Sequence, residues 1–484
     1  MTDASTSPGR RFVDEFSAWL NPRNPADPDN GVFFETAMIV VDTNVLLDLY
    51  RVSSATRAEI LTVLSRTSDR LWIPHQVALE YSRNRRKVVI DRNIEFSDIK
   101  AALRKSEKDA IDGLDAALRK FIKFRDKNRS NRDWDPAEFG LDQEGIKGRI
   151  KGIWDQVLQE LDNLEREIDL SEKDLAADPI LVELNDLLTG RVGPAPSTTD
   201  LQRHVERFVH FRFPSKLPPG YEDVAKKEEP VRQAGDYLLW KQLIDHLCSQ
   251  ASRIEPRRVM LVTGDSKPDW WELDRAGNPI RARPELVHEL RREANAELLL
   301  LSLTQLLQGA KDYLNYDVSD AAISEVQERE EEDQLADLLP EFVRQGRSFN
   351  VSEISYSGLE SVVLYLLLKM EFKVTRYAIR RGADFVATDS EGQHFAVDVY
   401  LRRGTVGIGQ LMNDAQHVLE SMDAMITREV NVDRGMLITT AMISRAARSR
   451  IREELGNLVL IGREELRELL ELHAGIRMYS SDGW

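Results

Sequence analysis

At 484 residues the chain is long enough for two or three hydrophobic cores rather than one. Its 42% hydrophobic and 31% charged residues are ordinary soluble composition, and its single cysteine, Cys248, excludes an intrachain disulfide framework and a cysteine-based zinc site. A formal net charge of −16 excludes nucleic-acid affinity spread over the whole surface but leaves room for a local basic face. No run has the unbroken apolar length of a membrane span, and "MTDASTSPGRRFVDEF" lacks a secretory apolar stretch, so the expectation is a cytoplasmic protein with no membrane partner.

In chain order, "AMIVV" (Ala37 to Val41) reads as a buried parallel strand: short, β-branched and not alternating. It runs directly into Asp42, Thr43 and Asn44, and a helical pattern follows. "RLWIP" (Arg70 to Pro74) suggests a second short strand and "HQVALEYSRNRR" a helix. From about Val88 to Asp200 the chain is mostly helical and highly charged. There Ile146, Ile150, Ile153, Trp154, Val157, Leu158, Leu161, Leu164 and Ile168 recur at three- and four-residue steps, an amphipathic helix and plausible half of a helical hairpin. "RNRRK" (Arg83 to Lys87) and "KFIKFRDKNRSNR" (Lys120 to Arg132) are basic patches, read either as substrate guides or as solvated helix faces.

After turn segments at "TGRVGPAPSTTD" and "KLPPGYED", a helix runs through "GDYLLWKQLIDHLCS". "RRVMLVTGD" (Arg257 to Asp265) then repeats the opening logic, a buried strand ending in an aspartate. "LLLLSLTQLL" supplies a last strand and short helix. "SEVQEREEEDQLADLLPEF" (Ser324 to Phe342) is an acidic connector, and from about Asn350 a second alternation of strands and helices begins. Strands alternating with helices indicate α/β architecture in both parts.

Asp42 and Asp265 both stand where a strand gives out, the position at which open parallel sheets bind ligands. Glu80 shares its helix's apolar face with Val77, and Asp236 shares a stripe with Leu239 and Leu243. A carboxylate on an apolar face is costly unless paired or metal-bound, so four such acids imply a shared compensating cation. Hard divalent ions, Mg²⁺ or Mn²⁺, suit oxygen donors and activate water against a phosphodiester. Thr43 and Asn44 are placed to position ligands, Lys267 to neutralise a phosphate, and Asp269 to add an acid. Taken singly, each acid reads equally as an N-cap or ion-pair partner. Of the eight histidines, His75, His204, His210, His246 and His288 show no pairing at zinc-ligand spacing. Trp270 and Trp271 are candidates for stacking on bases or for core packing.

"IVVDTNVLLDLYR", "LWIPHQVALEYSRNRR", "LPPGYEDVAKK", "GDYLLWKQLI" and "VTGDSKPDWW", in that order, resemble the bacterial PIN-like domains, the metal-dependent nuclease fold of many toxin ribonucleases. The resemblance implies that Asp42, Glu80, Asp236 and Asp265 are catalytic metal ligands and that the substrate is nucleic acid, most often RNA. "RRGADFVATDSEGQHFAVDVYLRR" resembles the core of Mrr-like restriction endonuclease domains, with Asp384 and Asp398 at the two acidic positions and Glu360 on the leading helix. Tyr400 stands where that motif has its lysine, and Arg402, on the same strand face, is too basic to serve as a base. The second domain is therefore expected to bind or sense rather than cut.

The organisation expected is a PIN-like parallel sheet over residues 33–309 with a helical arm inserted at about 88–205, an acidic connector over 310–349, and a smaller Mrr-like α/β domain over 350–476. The function expected is a metal-dependent endonuclease acting on RNA, with roles in antiviral defence or growth arrest by analogy of fold, and with a homo-oligomeric or regulatory protein partner. The rivals are a restriction-type DNA nuclease and a non-catalytic nucleic-acid-binding or scaffold protein.

Overall fold

The computed structural model describes residues 12–128, 138, 140, 142–168, 178–222, 229–250, 256–274, 278–376, 383–427 and 430–480. Two compact units divide between Gln327 and Glu328, part-way along the helix Asp320–Asp337.

The first unit is built on four parallel strands: β1 (Met38–Val41), β2 (Leu71–Trp72), β3 (Arg257–Val262) and β4 (Ala296–Leu301), in the order β2-β1-β3-β4. Ile39, Val40 and Val41, Val259 to Val262, and Leu298 to Leu301 are buried, as expected for strands covered on both faces. Because the chain passes from β1 to β2 on one side and returns to β3 on the other, β1 is the topological switch point. A crevice opens there beyond the carboxyl ends of the strands. α1 (Thr43–Asp48) leaves β1 immediately, and its Val45, Leu46 and Leu47 re-enter the core.

α2 (His75–Asn128) is one helix of 54 residues; its first turns carry Glu80, and its remainder grows outward as the arm. α3 (Gln143–Ile168) packs against it, so the arm is the hairpin that the periodicity of the sequence suggests. Arg129 to Arg132 of the second basic patch lie outside the described residues. The root of the arm is fixed by a buried cluster. The Tyr50 hydroxyl donates to Asp178 Oδ2 at 2.7 Å and stands 2.7 Å from the Tyr81 hydroxyl, and Arg85 Nη1 reaches the same carboxylate at 2.8 Å. Burial and this carboxylate raise the Tyr50 phenol well above its ordinary range, which keeps it a donor. α4 (Gly235–Ser249) buries Leu239, Trp240, Leu243 and Ile244 in the main core, and Trp240 meets Trp270 edge to face.

The second unit has a five-stranded mixed sheet. β5 (Lys373–Arg376), β6 (Phe385–Thr388) and β7 (His394–Tyr400) are antiparallel neighbours; β8 (Arg434–Thr439) and β9 (Leu458–Ile461) continue in parallel from β7. α5 (Tyr356–Lys369) and α6 (Ile408–Ile426) pack on this sheet. No helix among the described residues is long and apolar enough to cross a membrane.

Candidate active site

Asp42 and Asp265 come together because β1 and β3 are parallel neighbours in register. Val41 pairs with Val262, and the Asp42 N–H donates to the Val262 carbonyl at 2.9 Å. One residue on, the Thr263 hydroxyl donates to Asp42 Oδ2 at 2.8 Å, and the Thr43 N–H donates to Oδ1 at 2.6 Å. Thr263 also accepts the Asp265 N–H at 3.0 Å, so one buried threonine orients both acids.

Glu80 arrives from α2. Its Oε1 accepts from Gln76 at 2.6 Å and its Oε2 from the Thr43 hydroxyl at 3.5 Å. A Cβ added at Gly235 would lie 2.6 Å from Glu80 Oε1, so the first residue of α4 has to be glycine for this carboxylate to sit against the helix start. Asp236 is the next residue, and its Cβ lies 3.4 Å from where a Cβ on Gly220 would be. Gly235→Ala is expected to keep the fold, because the clash is with the end of a flexible side chain. Displacing Glu80 should lower turnover on the order of ten- to a hundredfold, read as kcat at an unchanged melting temperature.

The electrostatics are those of crowded acids. Burial first, then Glu80, and more weakly Asp265, push the Asp42 carboxyl up to about 6, against the pull of Thr263 and Thr43. Lys267 is held on Asp265, with its ammonium 2.7 Å from Oδ2 and its N–H 2.8 Å from Oδ1. Asn44 is exposed at the mouth beside Gly264.

Asp269 is fully buried, close enough to Asp265 to feel its charge, and braces a neighbouring turn. Its Oδ2 accepts the N–H of Gly220 at 2.8 Å and, more weakly, of Glu222 at 3.4 Å. Gly220 needs this support, since its φ of +95° is open essentially only to glycine. Asp269 thereby holds the Pro219–Glu222 turn beside Asp236, and burial and Asp265 raise its own carboxyl to about 6. The sequence offered no signal for this, because the partner lies 49 residues away. Trp270 and Trp271 are both buried, which corrects the reading of either as a base-stacking platform. Trp271 instead donates to the Asp265 carbonyl at 2.5 Å and fixes the loop behind that acid. Among the described residues no three Asp, Glu, His or Cys side chains stand close enough together to hold a metal ion directly.

In the second unit, antiparallel pairing of β6 with β7 brings Asp384 beside Asp398. The Asp384 N–H donates to Asp398 Oδ1 at 3.1 Å, and Asp384 Oδ2 accepts from the Val399 N–H at 2.8 Å and the Tyr356 hydroxyl at 3.0 Å. Glu360, one turn further along α5, adds its charge near Tyr356. Burial and Asp384 raise Asp398 to about 6, and Asp398 Oδ2 has no hydrogen-bond partner. Arg402 does not reach back over these acids; it is doubly bonded to Asp414 at 2.8 and 3.1 Å. The basic group that approaches is one the sequence reading missed. His417 of α6 has Nδ1 3.2 Å from the Tyr400 hydroxyl and 4.0 Å from Asp398 Oδ2. Its spacing from Asp414 and Ser421, both buried on one helix face, was the available signal. Arg380 to Gly382, at the start of the quoted motif, lie outside the described residues.

Comparison with known families agrees with this layout. The family model described as a PIN like domain matches residues 38–286, and the restriction endonuclease model of the Mrr type matches residues 351–470. No curated protein and no solved structure gives a significant match. The first match takes in just over half of the chain and contains β1, β3, Asp42, Glu80, Asp236 and Asp265. The chain belongs to the PIN-like domain family and carries an Mrr-type restriction endonuclease domain behind it.

Proposed function

We propose that the protein is a divalent-cation-dependent endonuclease whose working site is the Asp42, Glu80, Asp236 and Asp265 constellation, with RNA as its substrate. Both domains are of nuclease type. The observation that carries the choice of site is the state of Asp42, half-buried at the switch point of the sheet with its carboxyl driven up by loss of solvent and by its acidic neighbours. The donor set is all oxygen, which suits Mg²⁺ or Mn²⁺, and such ions keep several waters where protein ligands stand too far apart. A bound cation would supply an activated water and neutralise the phosphodiester charge.

The residues of the chain itself then have separable parts. Thr263 and Thr43 keep Asp42 in one rotamer, Gln76 and Gly235 set Glu80, and Asp269 holds the turn that borders Asp236. Lys267 offsets the charge of Asp265, and Asn44 is the polar side chain best exposed to a substrate. The preference for RNA, and a role in antiviral defence or growth arrest, rest on the resemblance to toxin ribonucleases. The test is purified full-length protein with Mn²⁺ or Mg²⁺ against tRNA, mRNA, single-stranded DNA and duplex DNA, with chelator as control. RNA cleavage that chelator stops and Asp265→Asn removes is the expected result. Cleavage of duplex DNA alone would move the activity to the restriction-type reading.

A further inference from the structure

The arm carries a second seam that its own hairpin does not use. On α2, Lys100, Ile111 and Leu118 mark the line facing α3; Lys100 reaches Asp162 at 2.7 Å and Glu165 at 2.5 Å. On α3 that line runs through Trp154, Leu158 and Leu161. Yet Ile99, Leu114 and Phe124 of α2 are 43, 44 and 67% exposed, and Ile153, Val157 and Leu164 of α3 are 59, 46 and 45% exposed.

These six are not scattered, and Phe121, 52% exposed, joins them, whereas Ile94, nearer the root and also 52% exposed, lies on another side of α2. At 100° per residue the three on α2 fall within about 80° of one another and the three on α3 within about 40°. Each set lies about a quarter turn from its helix's hairpin line, in the same rotational sense. In an antiparallel pair, equal rotations from the contact line bring both seams to the same flank. The arm thus has one apolar side, on which α2 also places Leu103, Ala110 and Ala117 at three- to seven-residue steps. A two-helix hairpin needs one seam per helix; two adjacent seams belong to a bundle of more than two helices.

Charge identifies the missing helices. Along the edge of α2 beyond the apolar seam, the half nearer the root carries Asp98, Asp109 and Asp112, with Lys105 the one basic residue among them. The outer half carries Lys120, Lys123 and Lys127. An identical arm laid antiparallel sets each basic half against the other's acidic half, whereas a parallel arrangement sets like against like. A nucleic acid would meet an apolar seam and three aspartates where it needs cations for its phosphates. The exposed apolar positions run along roughly 38 Å of α2 and roughly 17 Å of α3, a strip long enough for helix-on-helix packing between two copies.

We propose that the arm is a self-association device: two copies of this chain join antiparallel through the apolar flanks of their arms, with α2 crossing its own copy near Gly113 to Ala117. The full-length protein should sediment as a dimer at micromolar concentration. Leu114→Lys with Ile153→Lys, both on exposed positions, should convert it to a monomer with unchanged circular dichroism and melting temperature. With Cys248→Ser as background, Ala117→Cys should form a disulfide-linked dimer on oxidation and Ile99→Cys should not, since only the centre of an antiparallel pair meets its own copy. A monomeric wild type, or a dimer indifferent to the double substitution, would overturn the proposal. Equal cross-linking at both positions would overturn the antiparallel arrangement. A wild type that stays monomeric while the lysine variants change affinity for RNA would assign the flank to nucleic acid instead.

Discussion

Replacing Asp42 by asparagine is expected to abolish cleavage and, at neutral pH, to make the chain more stable. The first half follows from the role proposed for Asp42, since an amide cannot supply the anionic oxygen that a divalent cation requires. A loss of at least a thousandfold in kcat is the order expected when an electrostatic centre of the reaction is removed. The second half follows from the crowding around the carboxyl. Asp42 stands at about 6 in the fold against 3.8 for an unperturbed aspartate. The folded state therefore holds a proton more tightly than the unfolded state, and stability is lost as pH rises between those values. Below about pH 4 both states are protonated and the residue costs nothing; above about pH 6 the full penalty, about 3 kcal/mol, is present. Asparagine keeps the size and, at Oδ1, an acceptor for the Thr43 N–H; its amide nitrogen would then face the Thr263 hydroxyl, which can turn to accept, and the charge is gone. The difference between variant and wild type should thus be near zero at pH 4 and grow to several degrees in melting temperature at pH 7. Mg²⁺ or Mn²⁺ should raise the wild-type midpoint more than that of the variant. Equal midpoints at pH 7 in metal-free buffer would remove the electrostatic argument for this site, and retained cleavage would remove the site itself.

That conflict between stability and activity also explains what could be read from the chain beforehand. Asp42 and Asp265 were legible because each ends a short unbroken apolar run, and a buried strand that delivers a charge is costly without a purpose. Glu80 and Asp236 were legible from helical phase alone, since each shares a stripe with core residues. Physical proximity was harder. It depends on β1 and β3 pairing with Val41 opposite Val262, and on Gly235 being small enough to lie on Glu80. Asp269 looked like a further member of the constellation because sequence distance to Asp265 is short. Its hydrogen bonds run to Gly220 and Glu222, a partnership that only the folded loop creates. The tryptophans Trp270 and Trp271 illustrate the same limit, since an aromatic pair beside an acid carries no mark of which way it faces. The arm shows the converse case. Its apolar periodicity was plain, but the pattern counts seams and not partners, so the exposed flank emerges only once the hairpin has used up one seam.

The second domain supplies the other large effect, and there the expected result is the absence of one. Asp398→Ala should change nuclease activity by less than about twofold under conditions where Asp42→Asn abolishes it. The acids of this domain are well assembled: Asp384 is anchored by Val399 and Tyr356, and Asp398 beside it has an unpartnered oxygen and a raised carboxyl. What the motif lacks is its lysine. Tyr400 occupies the place of the motif lysine, and burial together with Asp398 raises its phenol well above the ordinary range, so it stays neutral at physiological pH. A neutral hydroxyl can donate one hydrogen bond but cannot offset the negative charge that builds as a phosphodiester is attacked. Removal of one such preorganised group typically costs on the order of a hundred- to a thousandfold in rate. Arg402, the nearest substitute along the chain, is committed to Asp414 by two hydrogen bonds and is not available. Among the described residues, His417 is the other basic group that approaches, exposed and 4.0 Å from Asp398. The domain is therefore expected to bind or sense rather than cut. The deciding measurement is the Asp42→Asn protein incubated with duplex DNA and Mn²⁺. Efficient cleavage that Asp398→Ala abolishes would make the protein a double nuclease, and its further loss on His417→Ala would identify the histidine as the replacement for the lysine.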